Sequence, residues 1–326
     1  MKFSSDEMKF VFGPVPSRRL GLSLGINNIP PKYCTYSCVY CQIGRTSNLT
    51  IKRRAFFNPH EISKEVVEFL GKYKGKVDYV TIVPDGEPTL DVNIGKLIEL
   101  LKKNVNLPVA VLSNASLFFI DNVRCDLAEA DLVSMKIDAG LEDVFRKINR
   151  PYSRLNLYSI LEGMKDFSQE FDGILLTETM LVKGVNDSEE NLRNIASKLK
   201  EINPSKAYIA IPVRPPAERW VKPPPESKIL LAYKIFEETL SEKKVSLLVE
   251  KEPGFTVTGL DQLISITMVH PIRIDEAIKM LEKAGLDPYT TLNKLIDEGV
   301  LVKIHYHGEY YILRKTVQQQ RKYGIR

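Results

Sequence analysis

The chain has 326 residues, enough for one large core and a second, smaller domain. Hydrophobic residues at 44% and charged residues at 27% describe an ordinary globular protein, and no apolar run nears the ~20 residues a membrane span needs. The net charge of +5 is uneven, because residues 1–57 carry nine Lys/Arg against only Asp6 and Glu7. That basic excess suits an anionic cluster, an anionic ligand or a phosphate-bearing substrate, and equally a solvated basic face. Residues 1–12 mix charges into short apolar pieces and lack a secretory h-region, so a cytoplasmic protein with no membrane partner is expected.

In chain order, Leu20–Ile26 reads as a strand and Pro59–Tyr73 as a helix, with a cysteine loop between them. From about residue 75 to 250, short apolar runs alternate with amphipathic stretches, the pattern of βα units on a parallel sheet. Strands are expected at Asp78–Val83, Pro108–Asn114, Leu132–Asp138, Gly173–Lys183, Lys206–Val213 and Val245–Val249. Helices are expected at Asp91–Lys103, Asp121–Glu129, Leu141–Ile148, Asn156–Ser168, Ser188–Ile202 and Glu226–Lys243, with Asp91 as a plain N-cap and Asn186 or Asp187 as another. About six βα units fit a doubly wound sheet or an open barrel equally well; both put functional residues at the carboxyl ends of strands. The proline-rich stretch Arg214–Pro225 is a functional loop or a rigid linker.

The last ~65 residues read differently. Helices are expected at Asp261–Val269 and Asp275–Ala284. A third helix is capped by Asp287, opens on Pro288 and ends at Gly299. Strands Val300–Ile304 and Tyr310–Arg314 follow, around a His307-Gly308 turn. This is the order of a winged helix, and the closing segment Arg314–Arg326 is basic. Two domains are expected, 1–255 and 256–326.

Three of the four cysteines, Cys34, Cys38 and Cys41, lie within eight positions. In a reducing compartment such a group favours metal or redox chemistry. Structural zinc wants four ligands, and no Cys or His follows nearby. Three thiolates on a cubane leave one iron open to a small molecule. An electron-transfer cluster and a zinc knob remain as alternatives. Cys125 could complete a four-cysteine set, but beside Leu127 and Ala128 in a helix it reads as an inert core residue.

The string Cys34-Thr-Tyr-Ser-Cys38-Val-Tyr40-Cys41 resembles the Cys-x3-Cys-x-aromatic-Cys signature of the radical S-adenosylmethionine (radical SAM) superfamily. The wider stretch from Gly13 to Gly44 resembles the branch that contains wyosine-base-forming enzymes and related iron–sulfur oxidoreductases. The archaeal-type synthases of that branch carry extra upstream cysteines, and none precedes Cys34 here. The resemblance implies a partial (β/α)6 barrel of radical SAM type over roughly residues 10–250, joined to the C-terminal winged-helix domain. It implies a [4Fe-4S] cluster on Cys34, Cys38 and Cys41, with S-adenosyl-L-methionine (SAM) chelating the open iron. It also implies an electron donor of flavodoxin or ferredoxin type, reductive cleavage of SAM, and a 5′-deoxyadenosyl radical that takes hydrogen from a substrate.

The same resemblance extends to residues around the cofactor. Tyr40 is the motif's aromatic. Pro84-Asp85-Gly86-Glu87-Pro88 is similar to the Gly-Gly-Glu motif, which makes Gly86 and Glu87 candidates for orienting the SAM amino group; Asp85 departs from it. Ser113 and Asn114, at a strand end, are candidates for the ribose or for a turn and cap. The backbone of Pro212 and Val213 is a candidate for the adenine. On the strand Leu132–Asp138, Val133, Met135 and Ile137 form an apolar face. Lys136 and Asp138 therefore point to the concave side, where a charge is costly unless paired or used. Lys136 and Glu178 are the candidate catalytic residues and Asp138 a cofactor ligand; a structural Lys–Asp pair is the bland alternative. Lys183 lies where its strand leaves the sheet, and Arg18 and Arg19 could bind an anion. A tRNA or other nucleic acid is a possible partner, suggested by the C-terminal segment. A redox-sensing iron–sulfur nucleic-acid-binding protein without SAM turnover is the alternative function.

Overall fold

The computed structural model describes residues 10–248, 260–269, 271–306 and 308–314. Strands β1 (Val11–Ser17) and β2 (Gly21–Ile26) form an antiparallel hairpin, and β3 (Tyr33–Cys34) and β4 (Asn48–Leu49) a two-residue ladder that ties the cysteine loop. Then follow α1 (Pro59–Lys72), β5 (Tyr79–Ile82), α2 (Ile94–Asn104), β6 (Val109–Ser113), α3 (Asp121–Leu127), β7 (Leu132–Lys136), α4 (Glu142–Asn149) and α5 (Leu157–Glu170). The barrel continues with β8 (Ile174–Met180), α6 (Glu189–Ile202), β9 (Lys206–Ala210), α7 (Glu226–Leu240) and β10 (Val245–Leu248).

The main sheet has the order β1-β2-β5-β6-β7-β8-β9-β10, and every pair from β2 to β10 is parallel. It is curled into an open α/β half-barrel, the architecture expected. The two-residue alternation of strands sorts the side chains. Val80, Ile82, Val109, Val111, Val133 and Met135 join the helices in the main core. Each fully buried Leu or Ile of the helix layer, such as Leu97 and Ile98, contributes ~1.5–3 kcal/mol. The opposite phase, with Ala110, Leu132, Leu176 and Tyr208, joins Leu20 in a separate cluster on the concave side. This is an apolar floor to the lumen. Arg18, in the β1–β2 turn, donates to the Leu248 carbonyl at 2.6 Å, so the sheet's two ends come within reach of one side chain.

Several local expectations are corrected. β1 escaped the sequence reading because Pro14 and Pro16 argue against a strand; as an edge strand it tolerates them. β9 stops at Ala210, since Pro212 has no N–H to continue a ladder. Asp91 is not the N-cap of α2, which starts from Asn93; its carboxylate accepts from Asn93 N–H and Asn28 inside the fold. Neither Asn186 nor Asp187 caps α6, because Ser188 does. Cys125 is exposed rather than core, on the solvent side of α3.

The C-terminal residues form α8 (Leu260–Val269), β11 (Ile272–Arg273), α9 (Ile274–Lys283), α10 (Pro288–Asp297), β12 (Leu301–Tyr306) and β13 (Glu309–Arg314). The strands make a three-stranded antiparallel sheet in the order β11-β13-β12. Its core includes Leu263, Ile272, Leu281, Leu295 and Ile312, and Val15 of β1 packs against it. Asp287 caps α10 as expected, accepting from Thr290 N–H at 2.7 Å. Tyr306 and Tyr311 donate to the carbonyls of Pro212 and Val213 at 3.2 and 3.0 Å. His307, the basic segment from 315 onward and the expected boundary at 255/256 lie outside the described residues.

Candidate active site

The cysteine loop leaves β2 and lies over the carboxyl ends of the strands. It is held by backbone hydrogen bonds from three directions. Ser37 and Val39 N–H groups donate to Asn149 and Ile148 carbonyls at the end of α4, at 3.0 and 2.9 Å. Glu87 N–H donates to the Tyr33 carbonyl at 3.0 Å. Glu218 N–H, from the proline-rich connection, donates to the Val39 carbonyl at 3.0 Å. That connection is therefore a strap across the loop. The buried Glu218 carboxylate grips Arg45 in a bidentate pair at 2.7 and 2.9 Å and takes Arg150 at 2.6 Å.

The three cysteines stand together with amide donors beside two of them. Asn149 Nδ2 lies 3.4 Å from Cys38 Sγ and Asn114 Nδ2 lies 3.6 Å from Cys34 Sγ. Burial, and after it Cys38 and Glu87, pushes the Cys34 thiol well above its ordinary range. Burial and Asp138 push Cys38 up to about 12. Such thiols become thiolates only when a positive metal takes the place of their protons. Among the described residues no three His, Cys, Asp or Glu side chains converge closely enough to hold a single ion. Thiolates at separate corners of a cube need no such convergence. An all-sulfur donor set with N–H groups aimed at the sulfurs fits an iron–sulfur cluster.

Gly86 is required by the protein itself: a Cβ there would lie 1.8 Å from the Tyr33 carbonyl oxygen. Glu87 is 1% exposed and its carboxylate accepts four hydrogen bonds. They come from Thr89 N–H and Oγ1 at 3.1 and 2.6 Å, Ser113 Oγ at 2.7 Å and Asn114 N–H at 2.8 Å. Burial pushes its pKa up and these donors pull it down. Ser113 and Asn114 are thus tied to Glu87, and Asn114 continues through Thr35 at 2.8 Å into the cysteine loop. The strand ends of β5 and β6 and the loop form one polar unit.

Asp138 forms a second unit. It accepts from the Tyr40 hydroxyl, from Asn149 Nδ2 at 2.7 Å and from Met180 N–H at 2.9 Å. Asn149 therefore bridges Asp138 to Cys38. Asn186 is fully buried and donates to the carbonyls of Asp138 and Met180, both at 2.8 Å, which fixes the ends of β7 and β8. Lys136 lies 4.9 Å from the centre of the Tyr40 ring and pairs with Glu178 at 2.6 Å, and Arg19 holds the other Glu178 oxygen. Lys136 pairs with Glu178 rather than with Asp138. Burial raises the Glu178 pKa, but Arg19 and Lys136 outweigh it and bring it down to about 2. Lys183 is exposed. The carbonyls of Pro212 and Val213 are engaged by Tyr306 and Tyr311. Asn149, Glu218 and Thr35 were missed in the sequence. Only Glu218, an acid among Pro215, Pro216, Arg219 and Trp220, carried a local hint.

Residues 28–196 match the model of the Radical SAM superfamily. A UPF0026 protein of Methanocaldococcus jannaschii is 43% identical over 311 residues, 94% of this chain and 96% of the relative. A probable dual-specificity RNA methyltransferase RlmN of Microcystis aeruginosa is 25% identical over 245 residues, 72% of this chain and 68% of the relative. A radical SAM methyltransferase from Sphaerobacter thermophilus superposes with a TM-score of 0.53 at 13% identity, over 70% of this chain and 67% of that one. The structure of anSMEcpe with bound AdoMet gives 0.51 at 16% identity, over 69% of this chain and 63% of that one. At these identities the two structures bear on the fold alone, a half-barrel like the one described above. The matched region carries the cysteine loop and the ends of β5 to β8, and the chain belongs to the radical SAM superfamily, whose members use a [4Fe-4S] cluster and SAM.

Proposed function

We propose that this radical SAM enzyme cleaves SAM reductively at a cluster held by Cys34, Cys38 and Cys41, and that the product radical abstracts hydrogen from a substrate bound in the barrel. The observation that carries this reading is the thiol group itself: three clustered cysteines, two with amide donors, at the carboxyl ends of a parallel half-barrel. When bound, the reduced cluster supplies the electron that breaks the sulfonium bond of SAM and yields the 5′-deoxyadenosyl radical.

This chain's residues do the positioning. Glu87 holds Ser113 and Asn114 and so aligns two strand ends against the cysteine loop. Three of its four donors share Oε1 and only the Asn114 N–H reaches Oε2, so Oε2 keeps a lone pair for the SAM amino group. Tyr40 and Asp138 fix each other below the loop. Lys136 and Glu178 lie deeper, towards the substrate. The strap around Glu218 and the C-terminal sheet, docked through Tyr306 and Tyr311, cover the site against water.

The test is anaerobic reconstitution, addition of SAM and dithionite, and chromatography for 5′-deoxyadenosine. Wild type should form it and Cys38→Ala should lose both the cluster absorbance and the product. A full cluster that yields none would reject the reading.

The same reading places residues 256–326 as a winged-helix domain, a flavodoxin or ferredoxin as electron donor and the protein in the cytoplasm. No described helix is long and apolar enough to cross a membrane. An RNA substrate has one specific support, the likeness to a probable RNA methyltransferase. Salt-sensitive tRNA binding by filter titration should follow; its absence would remove the nucleic-acid reading.

A further inference from the structure

Two asparagines reach the thiols from different elements, Asn114 just past the end of β6 and Asn149 at the end of α4. Asn149 Nδ2 lies 3.4 Å from Cys38 Sγ and Asn114 Nδ2 lies 3.6 Å from Cys34 Sγ. In both cases a second contact settles which way the amide faces. The Asn149 nitrogen also donates to the Asp138 carboxylate at 2.7 Å, and a carboxylate oxygen only accepts. The Asn114 oxygen accepts from the Ser116 N–H at 2.9 Å, while its nitrogen donates to Thr35 Oγ1 at 2.8 Å. Turning Asn149 over would set oxygen against carboxylate, and turning Asn114 over would set N–H against N–H. Each NH2 group therefore gives one proton to its anchor and aims the other at sulfur.

These donors are not needed to fasten the loop. Backbone hydrogen bonds at Tyr33, Ser37 and Val39 already do so. Asn149 is 3% exposed, and Asp138 beyond it is 4% exposed. Asp138 acts on the Cys38 thiol, second only to burial in raising its pKa. Once Cys38 is a thiolate, Asn149 stands between two negative groups and donates one N–H to each.

We infer that Asn114 and Asn149 are positioning residues that set the reduction potential of the cluster held by Cys34, Cys38 and Cys41. The inference rests on the radical SAM reading for the presence of that cluster. Its reduction takes one electron from an external reductant and adds one negative charge, with no bond formed or broken. A fixed N–H aimed at a thiolate sulfur stabilises the more negative state, and a buried, low-dielectric setting strengthens the effect. Both amides thus make the cluster easier to reduce, and Asn149 also shields Cys38 from the charge of Asp138.

The test is stepwise reduction of the full-length, cluster-reconstituted chain with dithionite at monitored potential, without SAM, followed by electron paramagnetic resonance. Asn149→Ala and Asn114→Ala should each lower the equilibrium constant for reduction about tenfold, a shift of roughly 59 mV to more negative potential. Asn149→Leu, which fills the space without a donor, should shift the potential like Asn149→Ala. Asn156→Ala removes the N-cap of α5, where the side chain accepts from the Ser159 N–H at 2.9 Å. It should lower stability and leave the potential unchanged, so a purely structural loss is told apart. A wild-type potential in Asn149→Ala at full iron content would overturn the assignment. A second measurement needs no variant. Pulsed resonance of reduced wild type carrying nitrogen-15-labelled asparagine should show a nitrogen coupling to the cluster, and its absence would overturn the assignment too. In either case wild type with SAM and excess dithionite would still form 5′-deoxyadenosine, so this inference and the radical SAM reading fail separately.

Discussion

Replacing Glu87 by Gln keeps the size of a fully buried side chain and changes only its hydrogen-bonding character. The carboxylate faces four donors, two of them backbone N–H groups that cannot reverse their role. Ser113 Oγ also accepts from Ala115 N–H at 2.9 Å, so its own proton is directed at Glu87. An amide must turn an NH2 group either towards three donors or towards the Asn114 N–H. The second choice is the milder one. It removes one charge-assisted bond, worth about 1.5–3 kcal/mol, and leaves opposed N–H groups buried, for a total of roughly 2–4 kcal/mol. Urea denaturation followed by circular dichroism would show a lower midpoint with an unchanged slope, well beyond the ~0.5 kcal/mol of an ordinary surface change. Iron content after reconstitution should fall too, since Asn114 links Glu87 to the cysteine loop. A variant within ~0.5 kcal/mol of wild type would show that a neutral group serves equally well and would refute the anionic hub.

Gly86→Ala should prevent normal cluster loading, read as absorbance near the visible charge-transfer band and as iron per chain, because the new methyl meets the Tyr33 carbonyl at 1.8 Å and must displace the loop. Burial raises the Asp85 pKa to about 7 against a weaker opposing pull from Lys32. A raised acid stabilises the fold fully below its unfolded pKa and loses that contribution as pH rises through the folded value. Asp85→Asn should therefore gain stability relative to wild type, by a few kcal/mol, between pH 4 and 7, and denaturation midpoints across that range check it. Cys125→Ser should leave cluster absorbance and iron content unchanged, because Cys125 is exposed.

The parallel strands and their helices were legible because strand and helix periodicities are local. The candidate cluster ligands stood out because the chain returns three sulfurs within a short loop. The polar face of β7 was also readable, since alternation alone sends Lys136 and Asp138 to the concave side. Which carboxylate Lys136 meets was not. Glu178 is its register partner on β8, a relation fixed only by strand pairing. Asn149 was invisible for the same reason, and Glu218 showed only a local hint, because their partners Cys38, Asp138, Arg45 and Arg150 are brought near by the fold. The caps of α2 and α6 were misread by a few positions. The acids and amides placed there, Asp91 and Asn186, serve tertiary hydrogen bonds, and Ser188 takes the local role.

The most direct measurement is Mössbauer spectroscopy of the chain reconstituted with iron-57, before and after SAM. The account gives four irons per chain, one of whose signals separates from the other three when SAM is added. Four signals that ignore SAM, or zinc bound at the thiols in place of iron, would contradict it.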